Sequence, residues 1–220
     1  MQRLSQPHSF GTRVGGSLRG CLLAISVLTV GLGEHAQSAQ IEAQGLQAPD
    51  RTQIANPTAP IADIQLLDQD GHEFGLAALQ GRTTLVFFGF TNCPNVCPPT
   101  LQKIRQVQRS LNAPETNLMG VFVSVDGERD TPARMKEYLR PFSPGFVGLT
   151  GDPARVKDLA TAFSAVFFKG MPTDTAGGYN MEHTSQVYLV DRSGRLRATF
   201  YNAPADDMAK VTAQVLAERS

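Results

Sequence analysis

Two short apolar segments on either side of a helical pattern constrain the fold of this chain more than any other feature. Residues 84–90 (TLVFFGF) and 118–125 (LMGVFVSV) have the continuous apolar character of strands that are buried on both faces. Between them, Leu101, Ile104 and Val107 recur with helical spacing. Adjacent parallel strands need a long crossover, commonly a helix, so the pattern predicts a parallel sheet with helices on its faces.

The remainder of the chain continues this alternation. Thr131-Pro132 and Asp152-Pro153 are N-cap residues followed by proline, which predicts one helix ending at Pro141 and another reaching Phe163. Further elements are predicted as a short strand over 146–149, two strands over 186–190 and 196–201 around the turn sequence DRSG, and a final helix over 205–218. The expected fold class is therefore α/β, with a central, mainly parallel sheet, flanking helices and an added β-hairpin.

The N-terminal region has the pattern of an export signal. Arginines precede an apolar run over 21–33 (CLLAISVLTVGLG), and small residues follow it. The run is about half of the ~20 residues that a helix needs to cross a bilayer. We expect residues 1–38 to be a signal peptide or a membrane anchor, residues 39–60 a linker, and residues 61–220 one domain. The domain is then exported, either periplasmic or attached to the membrane and facing away from the cytoplasm.

Composition excludes two classes of protein. The chain has 20 Lys and Arg against 20 Asp and Glu, a formal net charge of zero that does not favour nucleic-acid binding. Its 3 cysteines cannot build a disulfide scaffold. Removal of the export segment would take Cys21 away and leave Cys93 and Cys97. Because a lone thiol pair outside the cytoplasm tends to oxidise, its use implies a thiol reductant or a bound metal.

Cys93 and Cys97 form a CxxxC sequence where a buried strand is followed by a helix. Active sites of open α/β sheets gather at this edge, and a thiolate near a helix N-terminus is stabilised by the helix dipole. The spacing is compatible with a static disulfide, with a redox pair, or with two ligands to one soft metal ion such as Cu(I). Zinc is disfavoured, because structural zinc sites usually have four Cys or His ligands.

A third metal ligand would come from the histidines. His72 follows a turn far from the cysteines in sequence, and we expect it to be a solvated loop residue. His183 precedes a predicted hairpin strand and follows residues 169–180 (KGMPTDTAGGYN), which have the composition of a mobile loop. It is either a loop histidine that caps backbone groups or a ligand that swings onto the two sulfurs. We leave Met171 and Met181 out of the site, since such methionines more often pack.

Four stretches together resemble the Sco/SenC family of copper-delivery proteins for cytochrome c oxidase assembly. They are residues 88–98 (FGFTNCPNVCP), 123–132 (VSVDGERDTP), 147–151 (VGLTG) and 182–191 (EHTSQVYLVD). The resemblance covers about residues 60–215, and the combination is far more specific than CxxxC alone. It implies a thioredoxin-like fold with an extra hairpin, held to a membrane or exported.

The resemblance also implies a copper site of two thiolates and one imidazole, which correspond here to Cys93, Cys97 and His183. Copper would be held as Cu(I) or Cu(II) and delivered to the dinuclear centre of cytochrome c oxidase subunit II or another copper-site client. The protein could instead, or in addition, reduce the client's cysteines. This chain departs from the family at three positions, with Asn95 and Glu182 where Asp is frequent and Gly127 where Pro is frequent.

Several functions therefore stay open. The leading hypothesis is a copper chaperone, and the alternative is a thiol–disulfide oxidoreductase with Cys93 as the attacking and Cys97 as the resolving cysteine. A peroxide-reducing enzyme ranks last, because Phe90 stands where such enzymes place Thr or Ser, and a copper sensor would use the same site. Residues 126–130 (DGERD) are either a solvated turn or a loop that docks a partner.

Overall fold

The computed structural model describes residues 51–55, 59–172 and 178–218. The predicted signal or anchor over 1–38, with Cys21, lies outside these ranges, as does most of the predicted linker. Within the described ranges, no helix is both long and apolar enough to cross a bilayer.

Ten strands and four α-helices make up the described chain. The strands are β1 Thr52–Ile54, β2 Leu66–Asp68, β3 Glu73–Phe74, β4 Thr83–Gly89, β5 Leu118–Ser124, β6 Phe146–Thr150, β7 Phe167–Pro172, β8 Tyr179–His183, β9 Val187–Val190 and β10 Leu196–Phe200. The helices are α1 Cys97–Ser110, α2 Pro132–Leu139, α3 Pro153–Ala162 and α4 Ala205–Ala217, and 3-10 turns cover Leu76–Leu79 and Arg140–Phe142.

Eight of the strands form one sheet in the order β1-β10-β9-β4-β5-β6-β2-β3. The central strands β4, β5 and β6 are parallel, with Phe87 opposite Phe122 and Val121 opposite Val147. The strands outside this centre pair antiparallel with their neighbours. The predicted α/β fold with a parallel centre and an added hairpin, β9–β10, is confirmed.

Local sequence explains the central elements. Every residue of β4 and β5 is buried, as expected of strands covered on both faces. The side chain of Thr131 accepts the backbone N–H of Arg134, and Asp152 accepts that of Ala154, so both predicted N-caps are present. At the C-terminal end of α3, which Phe163 caps, the rings of Phe88, Phe163 and Tyr188 pack edge to face at 5.1–5.9 Å between centroids.

Three strands, in two segments of the chain, lie where the sequence indicates irregular chain. β1 falls within the segment predicted as a linker and adds to the sheet edge by pairing with β10. The prediction of a mobile loop over 169–180 was wrong for the residues in β7 and β8, which form a separate two-stranded sheet. Neither segment has the alternation of apolar and polar residues that is typical of a strand. Most side chains of β1 and β7 are exposed or half-buried, so few of these positions need to be apolar.

Candidate metal centre

The two cysteines lie in the connection from β4 to α1, at the C-terminal edge of the parallel strands. Cys97 is the first residue of α1 and is fully buried, whereas Cys93 is 8% exposed. Both are free thiols. Because Cys93 retains some contact with solvent, it is the sulfur that an approaching ligand or partner would meet first.

Cys93 precedes α1 by four residues, and its sulfur lies at the N-terminus of that helix. The backbone N–H of Cys97 points to its Sγ atom, with an N–S distance of 3.4 Å. The pKa of Cys93 lies well below that of a free thiol, chiefly because the Cys97 side chain donates a hydrogen bond to it and, with less effect, because the backbone N–H of Cys97 does so; burial opposes the shift. The pKa of Cys97 is raised by the same interaction and by burial. Cys93 is therefore the thiolate of the pair.

His183 is the last residue of β8, and its ring faces the cysteines. Its Nε2 atom lies 3.9 Å from Sγ of Cys97. Its Nδ1 atom lies 3.1 Å from the carbonyl oxygen of Thr184, so Nδ1 carries the proton and Nε2 presents a lone pair. The rings of Phe87 and Phe90 meet the imidazole edge to face at 6.0 and 5.8 Å. The imidazole is thus oriented by a hydrogen bond and by packing.

Together, the three predicted ligand residues have donor atoms within 4.8 Å of one another. Metal–sulfur bonds of about 2.3 Å allow at most ~4.6 Å between two ligands on one ion, so only a small contraction is needed. Two thiolates and one imidazole suit copper in either oxidation state. The expectation that His183 could swing onto the sulfurs from a flexible loop is corrected, since it belongs to a strand and already faces Cys97.

Gly89, the last residue of β4, allows the helix to approach this closely. A Cβ atom at this position would lie 2.7 Å from Sγ of Cys97 and 2.7 Å from the ring of Phe122. Real Cβ atoms do not approach so closely, so the glycine is required for Cys97 to sit directly over the end of the strand.

A buried carboxylate supports the start of the cysteine loop. Asp130 is fully buried. It accepts hydrogen bonds from the backbone N–H of Thr91 at 2.9 Å, from the Thr91 hydroxyl at 2.5 Å and from the Ser124 hydroxyl at 2.7 Å. The guanidinium of Arg134 lies 3.7 Å from the carboxylate and donates to the Thr91 hydroxyl at 2.6 Å. These bonds fix the backbone two residues before Cys93.

The segment 126–130 is not a solvated turn, which corrects one of the two expectations for it. Asp126 is buried and accepts hydrogen bonds from the side chains of Arg129, at 2.5 Å, and Tyr179, at 2.8 Å. The segment therefore contacts β8 as well as the cysteine loop. Sequence reasoning missed Asp130 and Tyr179 as supporting residues. Their contacts join residues about 40–50 positions apart in the chain, and no local sequence pattern indicates such contacts.

Other positions singled out in the sequence lie away from the donor atoms or pack. The side chain of His72 is 79% exposed and sits 3.7 Å from Asp68. Met181 is buried in the core, and Met171 is exposed on the hairpin. Of the departures from the family, Asn95 and Glu182 are exposed. Gly127 packs so tightly that a Cβ atom would lie 2.2 Å from the carbonyl oxygen of Gly151.

Comparisons with known proteins point in one direction. The family model described as SCO1/SenC matches residues 53–217. SCO2-like protein RC0895 of Rickettsia conorii is 37% identical over 139 residues, 63% of this chain and 68% of that protein.

Two solved structures extend the likeness to the fold. ScoI of Bradyrhizobium japonicum, solved with copper bound, is 39% identical with a TM-score of 0.64, covering 71% of this chain and 99% of ScoI. BsSco, a member of the Sco family of cytochrome c oxidase assembly proteins in which a disulfide switch was identified, is 25% identical with a TM-score of 0.60, covering 76% of this chain and 99% of BsSco. The fold shared with these structures is thioredoxin-like.

Proposed function

Because this chain belongs to the SCO1/SenC family, we propose that it is a copper chaperone. It binds one copper ion through Cys93, Cys97 and His183 and delivers the ion to the dinuclear copper centre of cytochrome c oxidase during assembly. The observation that carries the proposal is the cluster of two thiol sulfurs and one imidazole nitrogen within 4.8 Å.

The donor set supports copper as the cargo. Thiolate is a soft ligand that selects Cu(I), and imidazole binds copper as well. A likeness to ScoI, which was solved with copper bound, supports the same metal, and the likeness to BsSco supports oxidase assembly as the setting. With three protein ligands, the ion keeps room for a ligand from the client, such as a cysteine of subunit II.

Transfer would proceed by ligand exchange. A thiolate of the client adds to copper at the open position, and Cys93, the more exposed of the two sulfurs, is displaced before Cys97. Cys97 is fully buried at the start of α1, so it is the last thiolate to release the ion. The oxidation state of copper does not change in these steps, and a proton returns to each thiolate that is freed.

A Cu(I) titration of the reduced full chain against a competing chelator, under anaerobic conditions, tests this function. We expect tight binding of one ion, which Cys93→Ser and Cys97→Ser each abolish. Cys21→Ser is the matched control and should bind as the wild type does. Weak or absent binding by the wild type with its thiols intact would overturn the proposal.

The second candidate function is reduction of the client's cysteines, favoured by the opposite pKa shifts of the two thiols. The Cys93 thiolate attacks a client disulfide and releases one client thiolate. Cys97 then loses its proton and attacks Cys93, which releases the second client thiolate and leaves a Cys93–Cys97 disulfide. A thiol reductant must regenerate the pair. A Cys97→Ser variant should trap the mixed disulfide, and its failure to do so would exclude this reaction.

We also propose that the domain acts outside the cytoplasm, attached to the membrane or free in the periplasm, on the basis of the N-terminal sequence. Fractionation of cells that express the full chain tests this. Recovery in the cytoplasmic fraction would contradict it.

A further inference from the structure

The proposed ligand His183 lies on a hairpin that is separate from the main sheet. Among the strands of the described ranges, β7 and β8 pair with each other alone, from Phe167 opposite His183 to Pro172 opposite Tyr179. An isolated two-stranded hairpin is marginally stable in water. Contacts outside its own ladder must therefore hold it against the domain and set the place of the imidazole.

At the end of the hairpin remote from His183, two cations lie against the ring of Tyr179. The guanidinium carbon of Arg129 is 3.7 Å from the centroid of its ring, and Nζ of Lys169 is 3.9 Å from it. Both distances are within the range of cation–π attraction. Arg129 comes from the segment 126–130 and Lys169 from β7, so the ring joins the hairpin to the domain.

Hydrogen bonds tie the same residue to the same segment. The Tyr179 hydroxyl donates to Oδ1 of the buried Asp126 at 2.8 Å, and Nη1 of Arg129 donates to the Tyr179 carbonyl oxygen at 2.9 Å. Burial and the bond to Asp126 raise the pKa of the Tyr179 hydroxyl, so it keeps the proton that it donates. Lys169 also bonds to Glu128 at 2.9 Å. We call Tyr179 with Asp126, Arg129 and Lys169 the tyrosine clamp.

The clamp and the imidazole lie on one face of one strand. Side chains alternate along a strand, so Tyr179, Met181 and His183 share a face, and Met181 between them is buried. Tyr179 and His183 are four residues apart, which is about 13 Å along β8. A displacement of the strand at the clamp is therefore carried to His183 through a short, extended segment.

We propose that Tyr179 is a positioning residue for the copper site: its clamp fixes β8 against the segment 126–130 and so holds the imidazole of His183 at the third ligand position. The inference rests on the proposed copper function. Two thiolates suffice to bind Cu(I), whereas imidazole adds affinity for Cu(II). Loss of the clamp therefore lowers the affinity for Cu(II) more than the affinity for Cu(I).

The test compares Tyr179→Ala, which removes ring and hydroxyl, with Tyr179→Phe, which removes only the hydroxyl. Phe168→Ala is the matched control, because Phe168 is an aromatic residue of the same hairpin that is 61% exposed. The readouts are the Kd for Cu(II), the nitrogen coupling in the Cu(II) electron paramagnetic resonance spectrum, and the Kd for Cu(I). Circular dichroism establishes that each variant is folded.

We expect Tyr179→Ala to raise the Kd for Cu(II) at least about tenfold and to weaken the nitrogen coupling, as loss of a residue that orients a metal ligand does. The Kd for Cu(I) should stay within about threefold, and Tyr179→Phe should be intermediate because its ring keeps the cation–π contacts. Phe168→Ala should match the wild type. Unchanged Cu(II) affinity and nitrogen coupling in a folded Tyr179→Ala variant would overturn the inference.

A measurement without metal separates this inference from the proposed function. In the apo-protein, amide hydrogen exchange across β7 and β8 should accelerate at least about tenfold in Tyr179→Ala and should not change in Phe168→Ala. If the wild type binds no copper, the proposed function fails, and exchange still decides whether the clamp holds the hairpin. If the wild type binds copper and exchange in Tyr179→Ala is unchanged, the clamp inference alone fails.

Discussion

The Nε2 atom of His183 lies 3.9 Å from the Sγ atom of Cys97, although the two residues are 86 positions apart in the chain. One is the last residue of a hairpin strand and the other is the first residue of a helix. The candidate site is therefore assembled by a strand of the separate hairpin and by the helix that follows β4 of the main sheet. Its properties depend on what holds each of them in place.

His183→Ala is expected to separate the two oxidation states of copper. The Kd for Cu(II) should rise at least about a hundredfold, because loss even of an outer-shell partner of a ligand costs about 10–100-fold. The Kd for Cu(I) should rise less than about fivefold, because both thiolates remain. His72→Ala is the matched control, since that side chain is 79% exposed and remote from the cysteines in sequence. Equal Cu(II) binding by His183→Ala and wild type would remove His183 from the ligand set.

Much of the fold could be predicted from the sequence, because its signals are local. The buried runs that became β4 and β5 are continuous apolar segments, and the helices that start at Pro132 and Pro153 carry side-chain caps one residue earlier. The candidate ligands could also be predicted from the sequence, because the chain has 3 cysteines and 4 histidines, which leaves few residues to consider as metal ligands.

The supports of the site could not be predicted in the same way. Asp130 stands in a run of charged residues, which is typical of a solvated turn, yet it is fully buried beneath Thr91. Tyr179 lies in a Gly-rich, polar stretch, and only the folded chain brings Arg129 over its ring. Both contacts are long-range and polar, and neither leaves a periodic pattern in the sequence.

Asp130→Asn should destabilise the protein by about 2–4 kcal/mol. The substitution replaces a buried, charged hydrogen-bond acceptor by a weaker one, and it places an amide NH₂ donor opposite groups that are themselves donors. The free energy of unfolding by urea measures this. Asp152→Asn is the control: Asp152 is an exposed N-cap of α3, and Asn caps helices equally well, so its stability should change by less than about 0.5 kcal/mol. An unchanged free energy of unfolding in Asp130→Asn would show that the Thr91 bonds do not anchor the cysteine loop.

The stability of the reduced apo-protein should depend on pH through Cys93. Its pKa is lowered in the folded state from the ordinary value of 9.0, so the thiolate is favoured by folding. This contribution is fully present above the unfolded-state pKa and is lost as the pH falls toward the folded-state pKa. Cys97 does not oppose it in this window, because its raised pKa keeps it a thiol below pH 9.0.

Urea unfolding of wild type and Cys93→Ser between pH 9 and pH 5 measures this dependence. As the pH falls, the free energy of unfolding of the wild type should decrease relative to that of Cys93→Ser. A difference that is constant across this range would show that Cys93 ionises equally in the folded and the unfolded chain, and would remove the basis for assigning it as the thiolate.

Gly89→Ala should disturb the site and the core together. The new methyl group would lie 2.7 Å from Sγ of Cys97 and 2.7 Å from the ring of Phe122, and overpacking of this kind costs about 1–3 kcal/mol. Urea unfolding reports the loss of stability, and Cu(I) titration reports displacement of the Cys97 sulfur, which should weaken binding.

Gly75→Ala is the control for that substitution, because its new methyl group meets the flexible side-chain ends of Asp63 and Gln65, which can move away. It should leave Cu(I) binding unchanged. Retention of both wild-type stability and wild-type Cu(I) affinity by Gly89→Ala would mean that α1 can shift away from β4 without cost. The close approach of strand and helix would then not be what fixes the two sulfurs relative to His183.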